Sequence, residues 1–187
     1  MRRHLAGLFC FLFSIVPAGA RCMAQPPNLV VNSSFECDGV QTSNLVFPIT
    51  GWSAEQPRIG ETSTFNSILV GHLEYLAICA AGTLGVVSQS IETVPGQDYT
   101  FAFTFGSDGA EGNFFQAKWD DQVVMQAAGM RFKPGWITFD GSVEYSFIVT
   151  ASSRRTRISL EGKGNGRSCV GVDDVSVTPV NSHAANR

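Results

Sequence analysis

An aspartate in the last strand-like segment is the residue whose position points most clearly to chemistry. Strict alternation through Val172-Asp173-Asp174-Val175-Ser176-Val177 places Asp173 on the same face as Val175 and Val177, and so predicts that it is buried. A buried carboxylate has to be paired, hydrogen-bonded or coordinated to a cation. In exported proteins Ca²⁺ held by oxygen ligands is a common solution. A carboxylate that accepts backbone N–H bonds at a strand start is the other solution, and alternation leaves both open.

Side chains for enzymatic catalysis are scarce. Beyond residue 24 the histidines are His72 and His183, so a serine or cysteine triad would depend on His72. No two histidines stand at the spacing of zinc ligands. A pair of carboxylates could hydrolyse a glycosidic bond, but nothing in the sequence nominates a pair. The sequence therefore predicts a non-catalytic protein, with a glycoside hydrolase as the minor alternative.

The first residues resemble a secretory signal peptide. Met1-Arg2-Arg3-His4 is followed by the apolar run Leu5 to Val16 and then by Pro17-Ala18-Gly19-Ala20. This run is shorter than the ~20 apolar residues that span a bilayer, so we expect no membrane span. Cleavage after Ala20 or after Ala24 fits the pattern, and we take residues 1–24 as the leader. The expected location is secreted, periplasmic or extracellular.

The charge of the chain argues against a nucleic-acid partner. Cleavage after residue 24 removes Arg2, Arg3 and Arg21 from the 13 basic residues, which leaves 10 against 16 acidic residues and a net charge of −6. Binding to phosphates requires clustered Lys and Arg along one face. The basic cluster Arg154-Arg155-Thr156-Arg157 lies where a turn enters a strand, and we interpret it as a solvated hairpin end.

Period-2 alternation predicts an all-β domain. Tyr99, Phe101, Phe103 and Phe105 alternate with small and polar residues, as in a half-buried strand. About nine or ten such segments are separated by Gly, Pro and Asp turns, and no stretch of ten residues has a helical period. We expect one antiparallel β-sandwich of the jelly-roll type over residues 25–180, followed by a disordered tail over 181–187.

Four motifs in order carry a family resemblance. They are Asn28-Leu-Val-Val-Asn-Ser-Ser-Phe-Glu36, Gly51-Trp52, Val87-Ser-Gln-Ser-Ile with Val94-Pro-Gly-Gln-Asp-Tyr-Thr-Phe, and Gly171-Val-Asp-Asp-Val-Ser-Val. Together they resemble the DUF642-like and carbohydrate-binding-module-like exported domains of the galactose-binding-domain-like superfamily. The match runs from Asn28 to Val180. It implies a jelly roll in which the first and last motifs lie side by side.

The resemblance also implies a structural Ca²⁺ held by the side chains of Glu36 and Asp173, with Asp174 as a possible helper. Cys37 directly follows Glu36 and Cys169 shortly precedes Asp173. If the two motifs are neighbours, a Cys37–Cys169 disulfide could replace the ion.

Sugar binding by this kind of domain implies exposed aromatic rings flanked by amides or carboxylates. Trp119 alternates in register with Phe115 and Ala117, and Trp52 is structural in the family pattern, so we expect both to be buried. The ligand-facing candidates lie in or beside predicted loops: Phe65, Tyr75, Asn113, Phe114 and Trp136.

The sequence thus favours a secreted carbohydrate-binding module that recognises a cell-wall or extracellular polysaccharide. The alternative is a structural or adhesive extracellular protein with protein partners. The glycan and the oligomeric state are left open.

Overall fold

The computed structural model describes residues 23–37, 49–55, 64–65, 75–78, 84–107, 112–128, 143–163 and 170–181. The predicted leader up to residue 22 and the predicted tail from residue 182 lie outside these ranges.

Strands are the regular structure of the described residues. They are β1 (Ser53–Glu55), β2 (Thr64–Phe65), β3 (Leu76–Ile78), β4 (Gly85–Glu92), β5 (Asp98–Ser107), β6 (Phe114–Trp119), β7 (Gln122–Ala128), β8 (Val143–Thr150), β9 (Arg155–Lys163) and β10 (Val170–Pro179). Within the described ranges, no helix is long and apolar enough to cross a membrane.

The strands form two antiparallel sheets of five. Sheet A has the order β1-β4-β9-β6-β7, and sheet B has the order β2-β3-β10-β5-β8. Consecutive strands such as β4 and β5, or β9 and β10, lie in different sheets, so the chain crosses repeatedly from one layer to the other. This arrangement confirms the predicted antiparallel β-sandwich.

The core lies between the sheets and is rich in aromatic rings. Strand β5 supplies Tyr99, Phe101, Phe103 and Phe105, which are all buried as their alternation predicts. Phe115 of β6 packs on Phe105 with ring centroids 4.4 Å apart. Each buried ring removes about 150–250 Å² from water, so this cluster is a main source of stability.

Both tryptophans in the described residues are buried, which confirms the prediction for each. Trp119 donates from its indole Nε1 to the carbonyl oxygen of Thr150 in the opposite sheet, at 3.1 Å. Trp52 packs against Phe35 with centroids 5.4 Å apart and donates from Nε1 to the carbonyl oxygen of Asn32. Each indole N–H therefore has the partner that burial requires.

Residues 28–33 connect the two sheets. The segment is not a regular strand, because side chains replace part of the backbone ladder there. The Asn28 side chain accepts a hydrogen bond from the Val177 amide, while Leu29 donates its amide to the Val177 carbonyl. On the other side, the Gln89 amide group of β4 accepts from the Val31 N–H at 2.8 Å and donates to the Val31 carbonyl at 3.0 Å.

Candidate functional site

The surface of sheet A that points away from the core is lined with polar side chains. Ala117 of β6 and Leu160 of β9 are paired and fully buried, so the residues on either side of them point outward. Gln116 is paired with Glu161 in the next outward row. In the row beyond, Lys118 and Ser88 both face Ser159 from opposite sides. We call this surface the outward face of sheet A.

The polar side chains of this face hold one another in place. The Lys118 ammonium lies 2.7 Å from Oε1 of Glu161, and the Gln116 amide donates to Oε2 of the same carboxylate. Glu161 is largely buried, and the Lys118 side chain is 26% exposed. Charge-assisted hydrogen bonds in a partly desolvated setting are strong, so these groups have fixed orientations.

Arg157 extends the polar surface along β9. Its guanidinium Nη2 donates to the hydroxyl of Ser88 across the strand pair at 3.1 Å. Its backbone is fixed by Asp120 in the β6–β7 turn, because the Asp120 amide donates to the Arg157 carbonyl at 2.7 Å and the Asp120 carboxylate accepts from the Arg157 N–H at 2.9 Å. The Arg157 guanidinium therefore extends from a rigid strand at the exposed end of the outward face of sheet A.

Taken together, an amide, a carboxylate, an ammonium, a guanidinium and two serine hydroxyls share one sheet surface. The accessible members, Gln116, Lys118 and Arg157, can form hydrogen bonds with the hydroxyl groups of a polar ligand without rearrangement of the backbone. The central positions Ser88, Ser159 and Glu161 are buried, whereas Val123 and Gln126 on the edge strand β7 are exposed.

Two of the sequence-based candidates for sugar contact are wrong. Tyr75 is 1% exposed and is among the largest fully buried side chains, so its ring cannot stack on a sugar. Asn113 is buried, and its amide donates to the Ser107 hydroxyl at 3.0 Å. Both residues begin or precede strands that enter the core, which is why positions beside predicted loops were misleading.

The other three candidates have different outcomes. Phe114 is half-buried at an outward position of β6, opposite Lys163, and it borders a small pocket near Phe105 and Val170. Among the candidates within the described residues, Phe114 is the one on the outward face of sheet A. Phe65 lies in β2, in the other sheet. Trp136 lies outside the described residues, so its role stays a prediction.

Asp173 is buried as predicted, with 1% of its surface exposed, but the alternation argument placed it on the wrong face. Strand β10 pairs Asp173 with Thr104 and then Ser176 with Ala102, so β10 has one extra residue over this interval. This β-bulge returns Val175 to the core while Asp173 points outward from sheet B. Asp174, in the bulge, has a φ of 49°, which aspartate tolerates better than most residues.

Burial dominates the electrostatics of Asp173. Desolvation by burial raises the pKa of its carboxyl group to about 8, and the nearby negative charges of Asp174 and Glu36 add to the effect. One hydrogen bond opposes it, because the Asp174 amide donates to the Asp173 carboxylate at 2.8 Å. Ser33 accepts from the Val175 amide, which brings the turn that carries Glu36 onto this end of β10.

The first and last motifs therefore lie side by side, as the resemblance implied. Carboxylate oxygens are ligands that Ca²⁺ prefers, and a cation here would offset the repulsion among Glu36, Asp173 and Asp174. Within the described part of the chain, no three or more His, Cys, Asp or Glu side chains are grouped so as to hold a metal ion.

Cys37 at the end of the same turn is disulfide-bonded. Its expected partner Cys169 lies outside the described residues. The Cys37–Cys169 pairing therefore stays a prediction.

Sequence reasoning missed the outward face of sheet A. Gln116 and Lys118 alternate with the apolar residues of β6, as do Ser159 and Glu161 in part of β9, so the outward positions could be read from the sequence. What could not be read is that β6 and β9 are neighbours, since these strands are far apart along the chain.

Comparison with known proteins reveals the same fold at low sequence identity. No family model matches the chain, and no curated protein matches it either. Among solved structures, the carbohydrate-binding module TmCBM61 in complex with β-1,4-galactotriose is similar, with a TM-score of 0.54 and 14% identity over 82% of this chain and 99% of that one. The fold is a jelly-roll β-sandwich.

Two other similar structures are of different kinds. A cyclase from Fischerella sp. TAU has a TM-score of 0.54 and 15% identity, over 80% of this chain and 94% of the cyclase. The enzymatically active domain of tailspike protein 4 from bacteriophage CBA120 has a TM-score of 0.55 and 14% identity; the match covers 82% of this chain but only 21% of the tailspike chain. Because a sugar-binding module and an enzyme both have this fold, the fold does not decide the function.

Proposed function

We propose that the protein is an exported, non-catalytic module that binds an extracellular or cell-wall polysaccharide through the outward face of sheet A. The observation that carries the proposal is the network of Gln116, Glu161 and Lys118 on that face. The leader-like first residues support export, and the resemblance of the motifs to carbohydrate-binding modules supports the ligand class.

The network suits a sugar because its hydrogen-bonding groups are fixed before a ligand arrives. A flexible polar surface loses about 0.5–1.5 kcal/mol for each side chain that binding immobilises, and a preorganised one avoids this cost. A fold-sharing module is known in complex with β-1,4-galactotriose, which shows that a sandwich of this kind can hold a saccharide. Phe114 would add an apolar contact at the end of the same face.

An adhesive or structural role would be favoured by a flat apolar patch large enough for an interface. The large apolar side chains that are exposed in the described ranges do not form one. Val143 and Ile148 lie on opposite faces of β8, and Val123 lies in the other sheet. Val94 lies in a turn, and Met23 lies in the irregular segment before β1.

A structural Ca²⁺ is a second part of the proposal. Glu36 and Asp173 would hold it, with Asp174 nearby, and the ion would stabilise the contact between the first turn and β10. Its role would be structural, because these residues lie on the sheet B side and the glycan-binding face lies on sheet A.

The test is retention of the protein, residues 25–187, on a panel of insoluble and immobilised polysaccharides, with calcium and again with a chelator. The informative variant is Gln116→Ala, which removes one amide and leaves the Lys118–Glu161 ion pair in place. Ser146→Ala is the matched control, because Ser146 is an exposed polar residue on the outward side of sheet B.

We expect retention on at least one glycan class and a loss of about tenfold in affinity for Gln116→Ala, which corresponds to about 1.4 kcal/mol. Ser146→Ala should bind as the original protein does. Unchanged binding by Gln116→Ala would place the site elsewhere, and a lack of retention on every glycan would favour the adhesive role. Loss of thermal stability with chelator would support the ion.

A further inference from the structure

Among the described residues, basic side chains are concentrated on one surface. The Lys and Arg residues within the described ranges are Lys118, Arg154, Arg155, Arg157 and Lys163. All of them except Arg154, which precedes β9 in a turn, occupy outward positions on β6 or β9 of sheet A. By register, the acidic residues of this face are Glu55, Glu92 and Glu161. Glu161 is already bound by Lys118, and Glu92 lies directly opposite Arg155.

The opposite surface has the opposite charge. The strands of sheet B contain no Lys or Arg in their described residues, whereas Asp98 and Glu144 occupy exposed outward positions. Asp174 and Glu36 add negative charge at one end of this sheet. The two faces of the sandwich are therefore electrostatically distinct although the whole chain is acidic, with a formal net charge of −3.

The cations of β9 form a row. Outward residues of a strand recur about every 6.6 Å, so Arg155, Arg157 and Lys163 lie along one line, with Lys118 beside its middle. Arg155 and Arg157 are exposed and Lys163 is half-buried beside Phe114. A guanidinium group offers paired donors that match the two oxygens of a carboxylate, and similar geometry suits other oxyanions.

We propose that the outward face of sheet A binds an acidic polysaccharide, with Arg155, Arg157 and Lys163 contacting its carboxylate or sulfate groups. The inference rests on the proposed function and specifies the class of glycan. A row of cations beside hydrogen-bonding groups for hydroxyls is complementary to a linear chain that carries both kinds of group. The acidic face of sheet B would repel the same ligand and so direct it to one side.

The experiment compares three groups of soluble glycans by affinity electrophoresis or titration calorimetry. Polygalacturonate and alginate carry carboxylates, carrageenan carries sulfates, and galactan and hydroxyethyl cellulose are neutral. Each titration is run at about 0.1 M and about 1 M NaCl, where the screening length falls from about 10 Å to about 3 Å. Single-stranded DNA is included as a polyanion that is not a glycan.

The variants separate contact from overall charge. Arg155→Gln and Arg157→Gln remove one cation each from the row, while Arg154→Gln makes the same charge change in the neighbouring turn. Circular dichroism and the melting temperature verify that each variant is folded. Arg155 is exposed at the first position of β9, so Arg155→Gln remains informative if Arg157→Gln is destabilised.

We expect an acidic glycan to bind at low salt and to weaken steeply at high salt. Each strand variant should weaken binding by about fivefold to tenfold and Arg154→Gln by less than about twofold. Comparison of the carboxylated glycans with the sulfated glycan identifies which anionic group is bound.

Binding to neutral glycans alone would overturn this inference and leave the proposed function standing. Binding to none of the glycans would overturn both. DNA binding equal to or tighter than glycan binding would indicate that the row of cations is a nucleic-acid site. Equal effects of all three variants would show that binding depends on the overall charge of the protein and not on contacts with the row.

Discussion

The buried carboxylate of Asp173 makes the stability of the fold depend on pH. Its pKa is about 8 in the folded protein, against an ordinary value of 3.8, chiefly because burial disfavours the charged form. Between these two values the folded protein keeps a proton that the unfolded chain has released. The free energy of unfolding therefore falls as the pH rises through this window and is fully reduced above about pH 8.

The magnitude follows from the two pKa values. Each pH unit inside the window lowers the free energy of unfolding by about 1.36 kcal/mol, so the loss between pH 5 and pH 7 is roughly 3 kcal/mol and the total is roughly 6 kcal/mol. This is a large fraction of the 5–15 kcal/mol that is typical of a domain. The group is almost fully buried, so solvent screening does little to reduce the effect.

The decisive perturbation is Asp173→Asn, measured by urea unfolding in chelator at pH 5, 6, 7 and 8. The asparagine oxygen can still accept from the Asp174 amide, but the side chain cannot ionise, so the variant should lose most of the pH slope and exceed the original protein in stability at pH 8. Glu144→Gln, an exposed change in the same sheet, should keep the slope. Parallel slopes for the Asp173→Asn variant and the original protein would refute the reasoning.

Calcium provides a second arm of the same measurement. An ion beside Asp173 would stabilise the charged carboxylate, so added Ca²⁺ should raise the stability of the original protein at pH 8 and flatten its slope. The Asp173→Asn variant should respond much less. A response of equal size in both proteins would exclude Asp173 as a ligand.

Two further substitutions test the packing of the sandwich. Gly162→Ala would place a Cβ atom 2.6 Å from Cγ2 of Val170. We expect this overpacking to lower the free energy of unfolding by about 1–3 kcal/mol in urea melts. An unchanged unfolding midpoint would show that the sheets separate easily. Trp119→Phe removes the indole donor from the part-buried hydrogen bond to the Thr150 carbonyl and should cost about 1–3 kcal/mol by the same measurement. A loss below about 0.5 kcal/mol would mean that water replaces the bond.

The sandwich could be predicted because alternation is a direct consequence of strand geometry. Phe101, Phe103 and Phe105 face the core since every second side chain of a strand points the same way. The same rule failed at Asp173, where one extra residue in the bulge reverses the parity of the strand. A bulge depends on the pairing with β5, which a pattern within one strand does not record.

The candidate site shows the same division between local and long-range information. The sequence marks Gln116 and Lys118 as outward residues of a strand, yet Glu161 reaches them only through the pairing of β6 with β9. Tyr75 was misassigned for a related reason, because a short strand beside an irregular segment can still be buried by its neighbours. The charge difference between the two faces depends on sheet order and so was not visible along the chain.

The hydrogen bonds between residues 28–29 and Val177 have a consequence for engineering the protein. They hold the beginning and the end of the folded region next to each other at one edge of the molecule. A short linker could join the two ends, and new termini could be opened in an exposed turn such as residues 95–96 without cutting a strand. The domain should therefore tolerate circular permutation, and it could be inserted as a unit into a surface loop of a host protein.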